Sequence, residues 1–189
     1  SFGTRFNTFE CYHGVGHGLL TYLGYDLPKT INECKKIEAY EARSFCFSGA
    51  FMENIVTGLG HGAGNIHATA WLKNDDPLFP CNAVDKSLQV QFTCYQMQTS
   101  WMMKIYGNDY KKVADECLNV PGNMAPYCFQ SLGRDVSAFS KHDNEKILEI
   151  CSLAKDKTNF DYCIAGALNV IVDFWGVNVG DRANQLCKI

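Results

Sequence analysis

The stretch CYHGVGHGLLTYLGYDLPKTINEC, residues 11–34, decides the fold, because two helical segments meet in it at a short polar turn. Gly24 suits the end of the first segment, since glycine is the usual residue just past a helix C-terminus. Asp26 suits the start of the second, because its side chain can accept a hydrogen bond from a free backbone N–H of the first turn. The stretch therefore predicts a helical hairpin, with a helix A, a turn and a helix B.

The spacing of the cysteines shows that this hairpin is repeated. Alternate cysteines, at 11, 46, 94, 128 and 163, are separated by 35, 48, 34 and 35 residues, and the others, at 34, 81, 117, 151 and 187, by 47, 36, 34 and 36. A fixed period of about 35 residues is typical of helical repeat proteins. We predict an all-α protein of about five α-hairpins, stapled by disulfides, arranged as a curved solenoid or a closed α/α ring.

The repeat also sets the predicted boundaries. We expect one domain over residues 1–189, with hairpins at about 11–40, 41–86, 87–121, 122–156 and 157–189 and an insertion at 58–72. The helix A segments are predicted near 11–23, 46–57, 94–106, 126–139 and 160–175.

Two segments carry a resemblance to a known class. YLGYDLPKTI, residues 22–31, and IYGNDYKKVA, residues 105–114, resemble tetratricopeptide and Sel1-like helical-hairpin repeats. The resemblance implies the architecture alone.

Composition restricts the compartment and the partners. The net charge of −3 gives no electrostatic reason to bind nucleic acid, and no apolar run reaches the ~18 residues of a membrane span. Ten cysteines occur without a single C-x-x-C pair, so they indicate a disulfide framework rather than metal clusters. We therefore expect an oxidising compartment, extracellular, periplasmic or lumenal.

Spacing also favours one pairing of the cysteines. In the first hairpin Cys11 lies 15 residues from Asp26 and Cys34 only 8, a mismatch of roughly 10 Å along two antiparallel helices, too long for a disulfide. Pairs across the linker between hairpins lie level instead. The predicted bonds are Cys34–Cys46, Cys81–Cys94, Cys117–Cys128 and Cys151–Cys163. A closed ring would add Cys11–Cys187, whereas an open array would leave both unpaired.

Histidines are concentrated in two unusual segments. His13 and His17 are four residues apart, so they share one face of a helix, and His61 and His67 lie in a glycine-rich loop. Together they could bind a transition metal such as zinc or copper, with Glu53 as a carboxylate ligand or general base. The alternatives are tight helix packing around incidental histidines, and a plain surface loop. His142 lies in a turn, where we expect a surface or capping residue.

A polar stripe predicts a second kind of site. The second and sixth residues after each helix A cysteine are mostly polar, and on the last three hairpins they include Gln96, Ser100, Gln130, Arg134 and Asn169. Because helix A usually lines the concave face of such arrays, these side chains could form a ligand-binding groove.

Two functions follow from these sites. One is a secreted binding module that holds a peptide, glycan or protein partner in the polar groove. The other is a metal-dependent enzyme, hydrolytic or oxidative, that uses the histidines. No phosphate loop, nucleophile elbow, H-E-x-x-H or dinucleotide motif is present, so the sequence indicates no specific reaction.

Overall fold

A computed structural model describes residues 2–60, 69–172 and 180–188, with side chains for all of these except 2–6 and 180. This part of the chain confirms the all-α class: it contains α-helices and no β-strand. The helices are α1 (Phe2–Tyr22), α2 (Leu27–Cys34), α3 (Tyr40–Gly58), α4 (Leu88–Ile105), α5 (Tyr110–Asn119), α6 (Ala125–Phe139), α7 (Asn144–Cys151), α8 (Lys157–Val170) and α9 (Gly180–Leu186).

Three turns between a long and a short helix share one backbone conformation. Each turn has two successive residues of positive φ, Gly24-Tyr25, Gly107-Asn108 and Lys141-His142. The second residue of each pair donates its N–H to a carbonyl five residues earlier, at 2.8–2.9 Å, as in a Schellman motif. An aspartate follows each pair and caps the next helix with its side chain: Asp26 for α2, Asp109 for α5 and Asp143 for α7. The turn therefore ends one helix and starts the next within three residues.

Four disulfides attach the start of a long helix to the segment that precedes it in the chain. They are Cys34–Cys46, Cys81–Cys94, Cys117–Cys128 and Cys151–Cys163, with Cα atoms 5.3–5.7 Å apart. These are the four pairs that the linker spacing favours. Cys11 and Cys187 are exposed and form no disulfide in the structure.

The long helices begin earlier than the cysteine register predicts. Helices α3, α4 and α8 start at Tyr40, Leu88 and Lys157, each six positions before its cysteine. The disulfides therefore attach to the second turn of these helices, where the backbone is already fixed by its own hydrogen bonds.

The chain divides into two compact units, Ser1–Trp101 and Met102–Ile189. In the first unit α1 packs on α3, and the buried side chains include Leu20, Phe47 and Phe51. Gln89 at the start of α4 accepts a hydrogen bond from Arg43 Nε at 2.8 Å and donates to the Tyr40 carbonyl at 2.8 Å. The start of α4 is thus attached to the start of α3.

The second unit has its own core and its own close helix pair. Helix α6 packs on α8, and Phe129, Leu132 and Ile147 are fully buried. A Cβ added to Gly133 would overlap the carbonyl oxygen of Cys163, and one added to Gly166 would overlap that of Gln130. The two helices therefore approach at backbone contact.

The structure describes each unit by itself, so the solenoid or ring and the five-hairpin division stay predictions. None of the described helices is long and apolar enough to cross a membrane. Four disulfides are typical of an oxidising compartment.

Candidate functional site

The candidate site lies where α1 crosses α3. A Cβ on Gly16 would overlap the carbonyl oxygen of Cys46, and one on Gly49 would overlap the carbonyl oxygen of His13. Glycine is required at both positions because the two backbones are in contact there. Gly14 and Gly18, by contrast, have no atom within 4 Å of an added Cβ. The close approach brings the His13 face of α1 against the Ser48 face of α3.

The two histidines of α1 face each other across one turn of helix. Nε2 of His13 lies 3.1 Å from Nε2 of His17, and the ring centroids are 4.8 Å apart. The ring of Phe9 stacks on His13 at 4.9 Å. The spacing of four residues therefore brings the same nitrogen of both rings to one point.

Helix α3 holds the other nitrogen of each ring. Nδ1 of His13 lies 2.8 Å from the hydroxyl oxygen of Ser48, and Nδ1 of His17 lies 2.8 Å from Oε2 of Glu53. Thr57 donates its hydroxyl to Oε1 of Glu53 at 3.2 Å. We call the chain Ser48, His13, His17, Glu53 and Thr57 the histidine relay. Each imidazole is thus fixed at both of its nitrogens.

The donors and acceptors around Ser48 determine which ring nitrogen of His13 carries the proton. Ser48 donates its one hydroxyl proton to the carbonyl of Phe45 at 2.9 Å, so Nδ1–H of His13 donates to Ser48. Nε2 of His13 then faces Nε2 of His17 across 3.1 Å. Burial, with a smaller contribution from the charge on His17, lowers the pKa of His13 from 6.5 to about 4. His13 is therefore neutral at pH 7 and has a lone pair on Nε2.

Glu53 was predicted as a ligand or general base, and the structure places it on the outer side of His17. Its contact is with Nδ1, and the Nε2 atoms meet on the other side of the ring. A carboxylate in this place orients an imidazole and makes its free nitrogen more basic. The side chains of Glu53 and His17 are 18% and 29% exposed, so solvent reaches the relay.

The other two predicted histidine ligands, His61 and His67, lie outside the described residues. Within residues 2–60, 69–172 and 180–188, no three His, Cys, Asp or Glu side chains are grouped so that they could share one metal ion. The described part of the candidate site therefore offers two imidazole nitrogens to a metal ion, Nε2 of His13 and Nε2 of His17.

The predicted groove residues are divided between the two units. Gln96 and Ser100 are half-buried on α4, in the first unit. In the second unit Arg134 is paired with the buried carboxylate of Asp135 at 2.9 Å, Gln130 is half-buried and Asn169 is exposed. The groove stays a prediction.

His142 is not on the surface, but it has the capping role that its turn predicts, because its backbone N–H donates to the Ser137 carbonyl at the end of α6 at 2.8 Å. It is 5% exposed, and its Nδ1 lies 2.9 Å from the Ser137 hydroxyl oxygen. Burial, and to a smaller extent the charge of Arg182, lowers the pKa of His142. This histidine has a structural role at the α6–α7 turn.

Sequence reasoning missed the partners of His13. Ser48 is the second residue after Cys46, and His13 is the second residue after Cys11. Their equivalent positions in neighbouring repeats were the sequence feature that could have indicated the contact. Comparison with family models, with curated proteins and with solved structures found no match. The function of this chain therefore has to be inferred from its own geometry.

Proposed function

We propose that this chain is a transition-metal-binding helical module that binds a divalent ion such as zinc or copper through His13 and His17. One observation carries the proposal: the two Nε2 atoms lie 3.1 Å apart while both Nδ1 atoms are held by other side chains. Two ligands about 2.1 Å from one ion have a similar separation.

The chemistry of the relay fits such an ion. Neutral imidazole is a good ligand for zinc and copper, and His13 is neutral above pH ~5 because its pKa is about 4. Glu53 and Ser48 act as outer partners that fix the rings, an arrangement that accompanies most metal-binding histidines.

Two protein ligands leave coordination positions open. Catalytic zinc sites have three protein ligands and keep a further position for water or substrate, whereas structural sites are closed by four protein ligands. The metal-dependent hydrolytic or oxidative function predicted from the sequence therefore requires a third ligand beside His13 and His17. We infer that the module works in an extracellular, periplasmic or lumenal compartment, where its disulfides persist.

Metal titration tests the proposal. Untagged protein, with Cys11 and Cys187 blocked by iodoacetamide, is titrated with Zn²⁺ and with Cu²⁺ by calorimetry in two buffers of different ionisation enthalpy. We expect one equivalent to bind, and the two buffers separate the heat of binding from that of proton release. His13→Gln and His17→Gln should each weaken binding at least tenfold, and Glu53→Gln about tenfold.

Thr21→Ala is the matched control. Thr21 lies one turn after His17 on the same face of α1, and its hydroxyl donates to the backbone carbonyl of His17 at 3.1 Å. This variant should bind as tightly as the wild type. Equal binding by wild type and His17→Gln, or no binding at micromolar metal, would show that the relay is a hydrogen-bond network alone.

A further inference from the structure

Two contacts show how α3 runs past the histidine face of α1. Nδ1 of His13 lies 2.8 Å from the hydroxyl oxygen of Ser48, and Nδ1 of His17, one turn further along α1, lies 2.8 Å from Oε2 of Glu53. The contacts therefore advance in the same direction along both helices. Met52 lies one turn after Ser48 on α3, as His17 lies one turn after His13 on α1. Residues four apart on a helix share one face, so this register places Met52 beside His17.

The side chain of Met52 is open to solvent at this place. It is 38% exposed, whereas every other side chain between Cys46 and Thr57 is buried or half-buried. A methionine side chain has three rotatable bonds and carries a polarisable thioether, so it adapts readily to what lies beside it. The sulfur of Met52 is therefore free to turn toward an ion held by the histidines.

The other polar side chains of the relay are on the wrong side of the rings to bind the same ion. Ser48 and Glu53 contact the imidazoles at Nδ1, whereas the two Nε2 atoms face each other 3.1 Å apart. In the part of the chain that the structure describes, no group of three His, Cys, Asp or Glu side chains could hold a metal ion. A third ligand from these residues is therefore of another type, and thioether sulfur is a type that copper accepts.

We propose that the thioether of Met52 is the third ligand of the histidine site and makes this site selective for Cu⁺. The proposal rests on the proposed binding of a metal ion by His13 and His17. Thioether sulfur is a soft ligand that selects Cu⁺, whereas imidazole suits copper and zinc alike. Two imidazoles and a thioether therefore distinguish Cu⁺ from Zn²⁺, which two imidazoles alone do not.

Competition titrations test this selectivity. Protein with Cys11 and Cys187 blocked by iodoacetamide is titrated in the absence of oxygen with Cu⁺ against bathocuproine disulfonate, and separately with Zn²⁺ by calorimetry. Met52→Leu removes the sulfur and nearly conserves the volume of the side chain. We expect this variant to bind Cu⁺ about tenfold more weakly and Zn²⁺ within about twofold of the wild type, because only Cu⁺ favours the thioether.

Met97→Leu is the matched control, because Met97 lies on α4 and on neither helix of the site. This variant should bind both ions as the wild type does. NMR spectra of isotope-labelled methionine methyl groups give a second readout. Cu⁺ should shift the resonance of Met52, and Zn²⁺ should leave it in place.

Unchanged Cu⁺ binding in Met52→Leu would overturn the role of Met52 while leaving metal binding by the histidines intact. Equal weakening of Cu⁺ and Zn²⁺ binding would also overturn it, because Met52 would then support the fold of the site rather than bind the ion. A wild type that binds neither ion would contradict the proposed function itself, and the thioether site with it.

Discussion

Gly49 lies against the carbonyl oxygen of His13, so the backbones of α3 and α1 touch beside the first imidazole of the relay. Ser48, the residue before this glycine, lies with its hydroxyl oxygen 2.8 Å from Nδ1 of His13. A side chain at 49 would push the helices apart and break that hydrogen bond. The packing of the helix pair and the geometry of the candidate site therefore depend on the same contact.

Gly49→Ala should destabilise the protein by about 2 kcal/mol, because overpacking against rigid backbone outweighs the higher helix propensity of alanine. Gly18→Ala is the matched control. It adds the same methyl group where nothing lies within 4 Å, and it should stabilise α1 by up to about 1 kcal/mol. Urea unfolding followed by circular dichroism at 222 nm measures both. Stabilisation by Gly49→Ala would contradict the backbone contact.

The same crossing occurs twice with the same offsets. Gly16 and Gly133 stand fifth after Cys11 and Cys128, whereas Gly49 and Gly166 stand third after Cys46 and Cys163. The spacing from the cysteines shows this pattern in the sequence. A glycine in a helix, however, can equally stand where no neighbouring helix approaches closely. Nothing in the structure explains glycine at 14 and 18. The sequence could therefore not separate the glycines that are required for packing from those that are not.

Local signals were the most predictable part of the fold. The caps Asp26, Asp109 and Asp143 act within three residues, and the linker disulfides follow from equal distances to a turn. The start of α3 was missed because its N-cap, Ala39, has no side chain that could accept a hydrogen bond. The burial of His142 could not be predicted, because two successive residues of positive φ place its side chain beside Ser137.

The stability of metal-free protein should depend on pH through His13. Its folded-state pKa of about 4 lies below the ordinary 6.5, so the unfolded chain binds the proton more tightly. The contribution of neutral His13 is therefore fully present above pH 6.5 and is lost as the pH falls toward 4.

Melting temperatures between pH 7 and pH 4.5, measured with EDTA, test this dependence. The His13→Asn variant cannot take up a proton at this position, so its profile should be flatter than that of the wild type. His142 also has a lowered pKa, but it is common to both proteins and cancels in the comparison. Parallel profiles would contradict the burial of His13 as a neutral group.

Arg182 should control the attachment of α9. Its guanidinium donates to the carbonyls of Lys141 and His142 at 2.8 and 3.0 Å, and its own carbonyl accepts a bond from Asn144 at 3.1 Å. Arg182→Ala removes the two guanidinium bonds, and we expect α9 to exchange its amide hydrogens at least fivefold faster. Lys188→Ala, an exposed change just beyond α9, is the control. Unchanged exchange in Arg182→Ala would show that the apolar contacts of Ala183 and Leu186 suffice.

The state of Cys11 and Cys187 decides between the two predicted arrays. All other cysteines are bonded across linkers. By the same rule, Cys187 would pair with a cysteine at the start of a helix A, and Cys11 would pair with a cysteine at the end of a helix B. The bond between them stays a prediction of the spacing rule.

Peptide mapping without reduction, after alkylation of the native protein, tests it. A closed ring predicts one crosslinked peptide that contains both cysteines. Because both thiols are exposed when unpaired, an open array predicts two fully alkylated peptides and no crosslink. A Cys11–Cys34 peptide would contradict the linker rule itself, since it is incompatible with the Cys34–Cys46 bond.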